Sequence, residues 1–250
     1  METVLQAKNM TKIYGMGSKQ PFTALENIDL EIKTGEFIVV MGPSGSGKST
    51  LVNNISTIDI PTNGSLYILN QEVKQMSENQ LGKFRYQYLG FIFQNYNLIE
   101  SLTVKNNILF SLRLNKVDQK IQLEKLNELT KMLNIEEIID KYPSQCSGGQ
   151  QQRAAIARAL INDPKIIFAD EPTGNLDSLN ARELMEYLGK INEEKHTTII
   201  MVTHDSFVAS YSKKVYYMKD GHLDLSIDRH TKSQDDYYKE IVKVTTQMHL

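Results

Sequence analysis

A glycine-rich segment at residues 42–50, with the sequence GPSGSGKST, constrains this chain more than any other feature. It follows the apolar run FIVVM at residues 37–41 and precedes Leu51, Val52 and Ile55. This pattern predicts a buried strand, a glycine loop and a helix, in that order. The glycines let backbone N–H groups point inward, and the positive end of the helix adds to the attraction for phosphate oxygens. The segment therefore predicts a phosphate-binding P-loop rather than an ordinary Gly/Ser turn.

Two side chains of this loop have the chemistry that a nucleotide needs. Lys48 can reach the β- and γ-phosphates, and the hydroxyl of Ser49 can ligate Mg²⁺. These roles are common to kinases, GTPases and ATP-driven motors, so the loop alone leaves all three classes open.

The composition narrows the class of protein. At 250 residues the chain fits one large or two small domains, and its net charge of -2 comes without a basic block typical of nucleic-acid binding. The single Cys146 excludes an intrachain disulfide and a cysteine-rich zinc site. No signal peptide is evident, and the apolar runs are far shorter than a membrane span. We therefore expect a chain that reaches a membrane only through a partner.

Carboxylates and an amide follow two predicted strands. The apolar strand at residues 166–169 leads into Asp170 and Glu171, and the strand at 89–93 leads into Gln94. Adjacent residues at a strand end point in different directions, so Asp170 can bind Mg²⁺ through water while Glu171 activates the attacking water. Gln94 can touch the Mg²⁺ or that water. The alternatives are a solvated acidic pair and a polar residue that merely closes a strand.

An aromatic and a histidine are further candidates. Tyr14 precedes a Gly/Ser stretch and can stack on a base, or it can cover a sheet edge. His204 follows the apolar strand at residues 198–203, where it can sense or stabilise a γ-phosphate, although an isolated histidine is more often structural.

The middle and the end of the chain have helical patterns. Leucines at three- and four-residue spacing predict a packed amphipathic face that comprises Leu123, Leu126, Leu129, Met132 and Leu133. We expect a helical subdomain at about residues 95–160, inserted in the core, and a docked helix near the C-terminus. The sequence SGGQ at residues 147–150 opens a helix and predicts a second anion-binding helix end.

Taken in order along the chain, these motifs resemble the ATP-binding subunit of ABC transporters. The resemblance rests on GPSGSGKST, Gln94, SGGQQQR at 147–153, IIFADE at 166–171, NLD at 175–177 and His204. It implies an α/β P-loop NTPase with a RecA-like core, an antiparallel β subdomain and the inserted α-helical subdomain. It also implies an ABC ATPase domain over residues 1–228 and a tail over 229–250. Cys146 departs from the family, which usually has leucine there, and we expect it to pack as a small apolar residue rather than act in redox chemistry.

The resemblance also implies the cofactors ATP and Mg²⁺ and the roles of the site residues. Catalysis would use Glu171, His204 and Gln94, and Mg²⁺ would be held by Ser49, Gln94 and, through water, Asp170. The residues implied to bind ATP are Tyr14, which would stack on adenine, and Gly42, Pro43, Ser44, Gly45, Ser46, Gly47, Lys48, Ser49 and Thr50. Such subunits form head-to-tail homodimers in which Ser147, Gly148, Gly149 and Gln150 close over the partner's ATP. Asp177 would report the nucleotide state.

Finer features resemble the ATPases of bacitracin-type antimicrobial-peptide resistance transporters. These features are the segments at residues 56–59, 91–98 and 209–211 and the Tyr-rich tail. They imply a peripheral location on the inner face of the cell membrane, a large permease as partner and, through it, a sensor histidine kinase. The relatives in lipoprotein release, macrolide export and cell-wall or signalling control share most of these features and stay open as alternatives. A soluble ABC ATPase that acts on DNA or ribosomes fits less well, because the chain lacks a basic tail and sustained heptads.

Overall fold

The computed structural model describes residues 2–18 and 20–248, and this part of the chain forms ten strands and eight α-helices. The strands are β1 (Thr3–Tyr14), β2 (Phe22–Lys33), β3 (Phe37–Met41), β4 (Asn63–Ile68), β5 (Gln71–Glu72), β6 (Leu89–Phe93), β7 (Ile166–Asp170), β8 (Thr198–Val202), β9 (Lys214–Lys219) and β10 (His222–Asp228). The helices are α1 (Lys48–Ile55), α2 (Glu78–Tyr88), α3 (Val104–Leu114), α4 (Gln119–Met132), α5 (Gly148–Leu160), α6 (Ser178–Lys195), α7 (Ser206–Ala209) and α8 (Gln234–Met248).

The strands form two sheets. The smaller sheet is antiparallel with the order β2-β1-β4-β5, and the larger has the order β10-β9-β3-β8-β7-β6. Within the larger sheet the pairs from β9 to β6 are parallel, and β10 joins β9 as an antiparallel edge. Because parallel strands end at the same edge, the segments that follow β3, β6, β7 and β8 come together there. This arrangement confirms the predicted α/β P-loop fold with a RecA-like core and an antiparallel β subdomain.

The central strands β3, β8 and β7 of the larger sheet are buried on both faces, as expected for parallel strands. In β3, Phe37 and Val39 belong to an apolar cluster with the helical layer, while Ile38 and Val40 belong to a second cluster with the smaller sheet and helices α1 and α2. The period of two along a strand thus divides the core into two layers. Strand β2 of the smaller sheet alternates instead, since Ile28, Leu30 and Ile32 are buried and the residues between them are exposed.

Helices α3, α4 and α5 lie between β6 and β7 in the chain, which confirms an inserted helical subdomain. In its helix α5, Ala154, Ala155 and Ala157 are fully buried. The boundaries assigned to the domains, 1–228 and 229–250, stay a prediction. In the described part of the tail, α8 packs on the core through Tyr237 and Ile241.

One detail of the helical prediction is wrong. Leu123 was expected on the packed face of α4, but its side chain is 39% exposed, whereas Leu126 and Leu129 are buried. The buried stripe passes through Gln122 instead, and its Nε2 donates a hydrogen bond of 2.8 Å to the carbonyl of Val117. Gln122 can be buried because its amide is satisfied there. Among the described residues no helix combines the length and the apolar character that a membrane span requires.

Candidate active site

The glycine loop lies between β3 and α1, as predicted. Gly42 and Gly47 have φ angles of +152° and +102°, and both approach backbone closely. A Cβ on Gly42 would lie 2.1 Å from the carbonyl oxygen of Met218, and one on Gly47 would lie 2.7 Å from that of Ala24. Only glycine fits at these two positions, so these two glycines determine the backbone path of the loop.

Lys48 is the first residue of α1, and its ammonium is folded back over the loop. Its Nζ donates hydrogen bonds to the carbonyls of Gly42 at 3.0 Å and Pro43 at 2.7 Å. Burial lowers the pKa of this ammonium from its ordinary value, and the nearby carboxylates of Glu171 and Asp170 oppose part of that shift. The positive charge is therefore held at the mouth of the loop, where phosphate oxygens would bind.

Two further features of the loop fit a phosphate group. The hydroxyl of Ser46 is buried and has no hydrogen-bond partner among the described residues. At Gly45, with φ +80°, a Cβ would meet nothing within 4 Å, so the loop is open on that side. A loop with an unused buried hydroxyl, an open side and a lysine at its end is suited to hold phosphates.

Asp170 is the last residue of strand β7 and Glu171 follows it, next to two cavities that both contain Lys48. Asp170 lines a cavity of about 460 Å³ together with Ser49 and Thr50. Glu171 lines that cavity and a second one of about 500 Å³, which also contains His204. Burial raises the pKa of Asp170, Glu171 raises it further, and Lys48 opposes both.

Glu171 and His204 are in contact. The Nδ1 of His204 lies 2.9 Å from Oε1 of Glu171. The backbone of Glu171 is held by a hydrogen bond of 2.9 Å from its N–H to the carbonyl of Val202, and its φ of +44° is unusual for a residue with a side chain. The segments after β7 and β8 therefore fix one carboxylate and one imidazole relative to each other.

Tyr14 is the last residue of β1 rather than part of a loop. It pairs across the sheet with Phe22, and its side chain is 40% exposed. Phe22 is also exposed and lines the cavity with Ser49 and Asp170. Phe22 was not predicted from the sequence, although an aromatic residue close after the Gly/Ser stretch was a detectable signal. Thr245 of α8, which lines the cavity with Glu171 and His204, was not predicted either.

Gln94 follows β6 at the same edge of the sheet, but its side chain packs elsewhere. A Cβ on Gly174 would lie 2.7 Å from Nε2 of Gln94, so the amide covers that glycine. The carbonyl of Gln94 accepts a hydrogen bond of 2.9 Å from Asn175. Gln94 lines neither of the two cavities that contain Lys48. Its part in binding Mg²⁺ stays a prediction.

The SGGQ segment begins helix α5 and is separate from the chain's own P-loop cavities. Ser147 caps the helix: its Oγ accepts a hydrogen bond from the N–H of Gln150 at 3.3 Å, and its own N–H donates to Oε1 of Gln150 at 2.9 Å. Gly149 lies against Asn180, which donates to the carboxylate of Asp177 at 2.9 and 2.8 Å. Residues 147–150 line neither cavity that contains Lys48. The structure thus groups the SGGQ segment with Asp177 and leaves it apart from Lys48 and Glu171.

No group of three or more His, Cys, Asp or Glu side chains among residues 2–18 and 20–248 is arranged to hold a metal ion. Of the residues predicted to hold Mg²⁺, Ser49 and Asp170 both line the cavity of about 460 Å³. Two oxygen donors suit a hard cation that takes its remaining ligands from phosphates and water.

The fold and the glycine loop together define a P-loop NTPase. The profile of the ABC transporter family matches residues 25–174, and the chain belongs to that family as an ATP-hydrolysing, ATP-binding member. It is 46% identical over 241 residues to the bacitracin export ATP-binding protein BceA of Halalkalibacterium halodurans, covering 96% of this chain and 94% of that protein.

Two further similarities bear on assembly and on substrate. The dimeric structure of the ATP-binding cassette MJ0796 bound to ADP and Pi superposes with a TM-score of 0.83 at 42% identity, covering 90% of this chain and 98% of that one. The macrolide export ATP-binding/permease protein MacB of Aggregatibacter actinomycetemcomitans is 42% identical over 220 residues, which span 88% of this chain and 34% of that protein.

Proposed function

We propose that this chain is the ATP-hydrolysing motor of a membrane exporter that protects the cell from peptide antibiotics. The observation that carries the proposal is the 46% identity to a bacitracin export ATP-binding protein over nearly the full length of both chains. The match covers 96% of the chain and so extends well beyond the motifs that all P-loop proteins need.

In this proposal the motor works as a head-to-tail dimer of two copies. Each copy places Lys48, Glu171 and His204 on one cavity, while its own Ser147 lies outside that cavity. The exposed start of α5 would supply the missing anion-binding groups to the partner's site. The dimeric form of the related cassette MJ0796 supports this arrangement.

The residues fit the steps of ATP hydrolysis. Lys48 would bind the phosphates in place of its present carbonyl partners, and Tyr14 would stack on adenine. Glu171 would accept the proton of the attacking water, with His204 holding its carboxylate in place. Mg²⁺ would be held by Ser49, by Asp170 through water and by Gln94, and it would neutralise charge that develops on the phosphates. Asp177, beside the SGGQ segment, would respond to the nucleotide across the dimer.

A surface for the permease is available on the helical side of the chain. A groove of about 420 Å³ lies among α2, β6, α3 and α5, and Ile58 and Phe110 line it. Ile58 is 50% and Phe110 43% exposed, and exposed apolar side chains that line one groove are typical of a protein interaction site. A permease that docks here would hold the motor at the inner face of the membrane and link it to a sensor histidine kinase.

The test is ATP hydrolysis by the complex of this chain with a permease that co-purifies with it. We expect bacitracin to stimulate the activity, and the Glu171→Gln complex to show no stimulation. Stimulation by a macrolide instead of bacitracin would favour the second candidate, macrolide export, which the likeness to MacB supports. Fractionation of the chain with ribosomes or DNA and without a permease would contradict both.

A further inference from the structure

Three side chains meet at the edge of the smaller sheet, next to helix α1. The Nζ of Lys12 lies 2.6 Å from Oδ1 of Asp59, and the hydroxyl of Tyr14 donates to Oδ2 of the same carboxylate at 3.0 Å. Lys12 also donates to the carbonyl of Ile60 at 2.9 Å. One carboxylate therefore ties a lysine and a tyrosine together, and each uses a different oxygen.

The lysine also contacts the tyrosine ring directly. The Nζ of Lys12 lies 5.0 Å from the centroid of the Tyr14 ring, within the range of a cation–π contact. Since the ammonium occupies one face and the side chain is still 40% exposed, a second flat group has access to the ring. The ring is thus fixed at its hydroxyl and on one face.

The same group of residues is connected to the P-loop through helix α1. The side chain of Thr50, the last residue of GPSGSGKST, lies close enough to the Tyr14 hydroxyl to oppose part of the rise in its pKa. The N–H of Asp59 donates at 2.9 Å to the carbonyl of Asn53, near the end of the same helix. Lys48 begins this helix, so Tyr14 is held at a fixed position relative to the phosphate-binding end.

The charges in this group are stable near neutral pH. Burial by itself would raise the pKa of Asp59, but hydrogen bonds from Lys12, the Ile60 N–H and Tyr14 lower it below its ordinary value. Burial and the hydrogen bond to Asp59 raise the pKa of Tyr14. Asp59 is therefore a carboxylate and Tyr14 a neutral donor, which fixes the direction of their hydrogen bond.

We propose that Lys12 and Asp59 are positioning residues that hold the Tyr14 ring ready to stack on the purine base of ATP. This rests on the proposed function, in which Tyr14 contacts adenine. A ring already held in place does not have to be immobilised when the nucleotide binds, so affinity is gained without a new contact to the ligand. This gain in affinity comes from the contact with the base alone, and the affinity for the phosphates is unchanged.

The experiment compares ATP with tripolyphosphate, which has three phosphates and no base, by calorimetry on the full chain. Asp59→Ala is expected to weaken ATP binding about two- to tenfold, the cost of ordering one free side chain. Binding of tripolyphosphate should be unchanged. Asp59→Asn keeps an acceptor for the Tyr14 hydroxyl but loses the charge that holds Lys12. This variant replaces Asp59→Ala in the experiment if Asp59→Ala fails to fold.

A matched control is available at Asp163. Lys125 lies 2.5 Å from Oδ2 of Asp163 and donates to the carbonyl of Ile161 at 3.2 Å, so this pair resembles the pair of Lys12 and Asp59 without an aromatic ring. Asp163→Ala should leave both affinities unchanged. Tyr14→Ala combined with Asp59→Ala should be no weaker for ATP than Tyr14→Ala alone, because Asp59 acts through the ring.

The outcomes separate this inference from the proposed function. If wild type fails to bind ATP more tightly than tripolyphosphate, the base makes no contribution and the adenine role of Tyr14 is wrong. If Tyr14→Ala loses the preference for ATP and the Asp59 variants keep it, the positioning role alone is wrong. A loss of affinity for both ligands in the Asp59 variants would show a general structural role and would also overturn the inference.

Discussion

The imidazole of His204 and the carboxylate of Glu171 form a hydrogen-bonded pair, with Nδ1 and Oε1 at 2.9 Å. An ionised carboxylate only accepts hydrogen bonds, so a carboxylate at Glu171 pairs with the His204 tautomer that has its N–H at Nδ1. The Glu171 side chain is 18% exposed, whereas that of His204 is 77% exposed. The pair therefore consists of a sheltered carboxylate and a largely exposed imidazole.

The first prediction concerns Glu171 as the general base. Glu171→Gln keeps the size of the side chain and removes its ability to accept a proton. ATP binding should be retained and turnover should fall by about 10² to 10⁴, the usual contribution of a general base. Calorimetry and a steady-state ATPase assay measure the two effects.

His204 provides the control for this assignment. If it acts by holding Glu171, His204→Ala should lower turnover in the wild-type background but not in the Glu171→Gln background, since residues that act as a unit are not additive. Near-normal turnover in Glu171→Gln would show that another group removes the proton.

The second prediction concerns Lys48. Its ammonium is held at the loop by the carbonyls of Gly42 and Pro43, ready to bind phosphates. Lys48→Ala should weaken ATP binding about ten- to hundredfold, because it removes charge-assisted hydrogen bonds to the phosphates. Lys190→Ala, at an exposed position on α6, is the matched loss of one positive charge. Equal affinities in the two variants would contradict a phosphate role for Lys48.

The third prediction concerns the pH dependence of stability through Tyr237. Burial raises the pKa of Tyr237 to about 12, from an ordinary value of 10.0. The folded state thus holds this proton more tightly than the unfolded state, so the stabilisation is fully present below pH 10 and is lost as the pH rises toward 12.

Urea unfolding of wild type and Tyr237→Phe measures this effect. The hydroxyl of Tyr237 donates to the carbonyl of Ile227 at 2.9 Å, so the variant should be less stable near pH 8 by about 1 kcal/mol. Between about pH 8 and about pH 11 wild type should lose about 1.4 kcal/mol relative to the variant. A difference that stays constant with pH would show that Tyr237 does not titrate in this way.

The fourth prediction concerns Cys146, which precedes the SGGQ segment. Burial raises the pKa of its thiol, and the nearby Lys141 only partly opposes this. Less thiolate is therefore present at neutral pH, and a maleimide should react slowly with or without ATP. The urea-unfolded chain gives the reference rate. A fast reaction that ATP suppresses or accelerates would contradict inert packing at this position.

Much of the fold could be predicted because local sequence and global structure agree. The apolar run at 37–41, the glycine loop and α1 follow in the expected order, and the strand before Asp170 is buried on both faces. Parallel strands then bring Gly42, Asp170 and His204 to one edge without further information. The family resemblance and the ATPase class are confirmed by the comparisons, whereas the roles of single site residues stay predictions.

The structural features that could not be predicted from the sequence depend on contacts between segments that are distant in the chain. Leu123 and Gln122 differ in burial because the carbonyl of Val117 satisfies the glutamine, which periodicity cannot show. The hydrogen bonds of Asp59 with Lys12 and Tyr14 join residues more than 40 positions apart in the chain. Thr245 lines the cavity with Glu171 only because α8 docks there. Such contacts follow from tertiary packing and leave no local pattern.

The central claim is that each copy holds half of a site that a second copy completes, and mixing two inactive variants tests it. The variants are Lys48→Ala and Ser147→Asp; aspartate preserves the helix cap of α5 but repels phosphate. A dimer of one chain of each kind contains one fully intact site.

The measurement is the ATPase activity of the equimolar mixture compared with the sum of the two variants alone. A wild-type chain mixed with a chain that carries both changes is the matched control, because no mixed dimer then has an intact site. We predict that the mixture of single variants exceeds the sum and that the control falls below wild type alone. A mixture that only equals the sum would contradict the claim and show that each chain works alone.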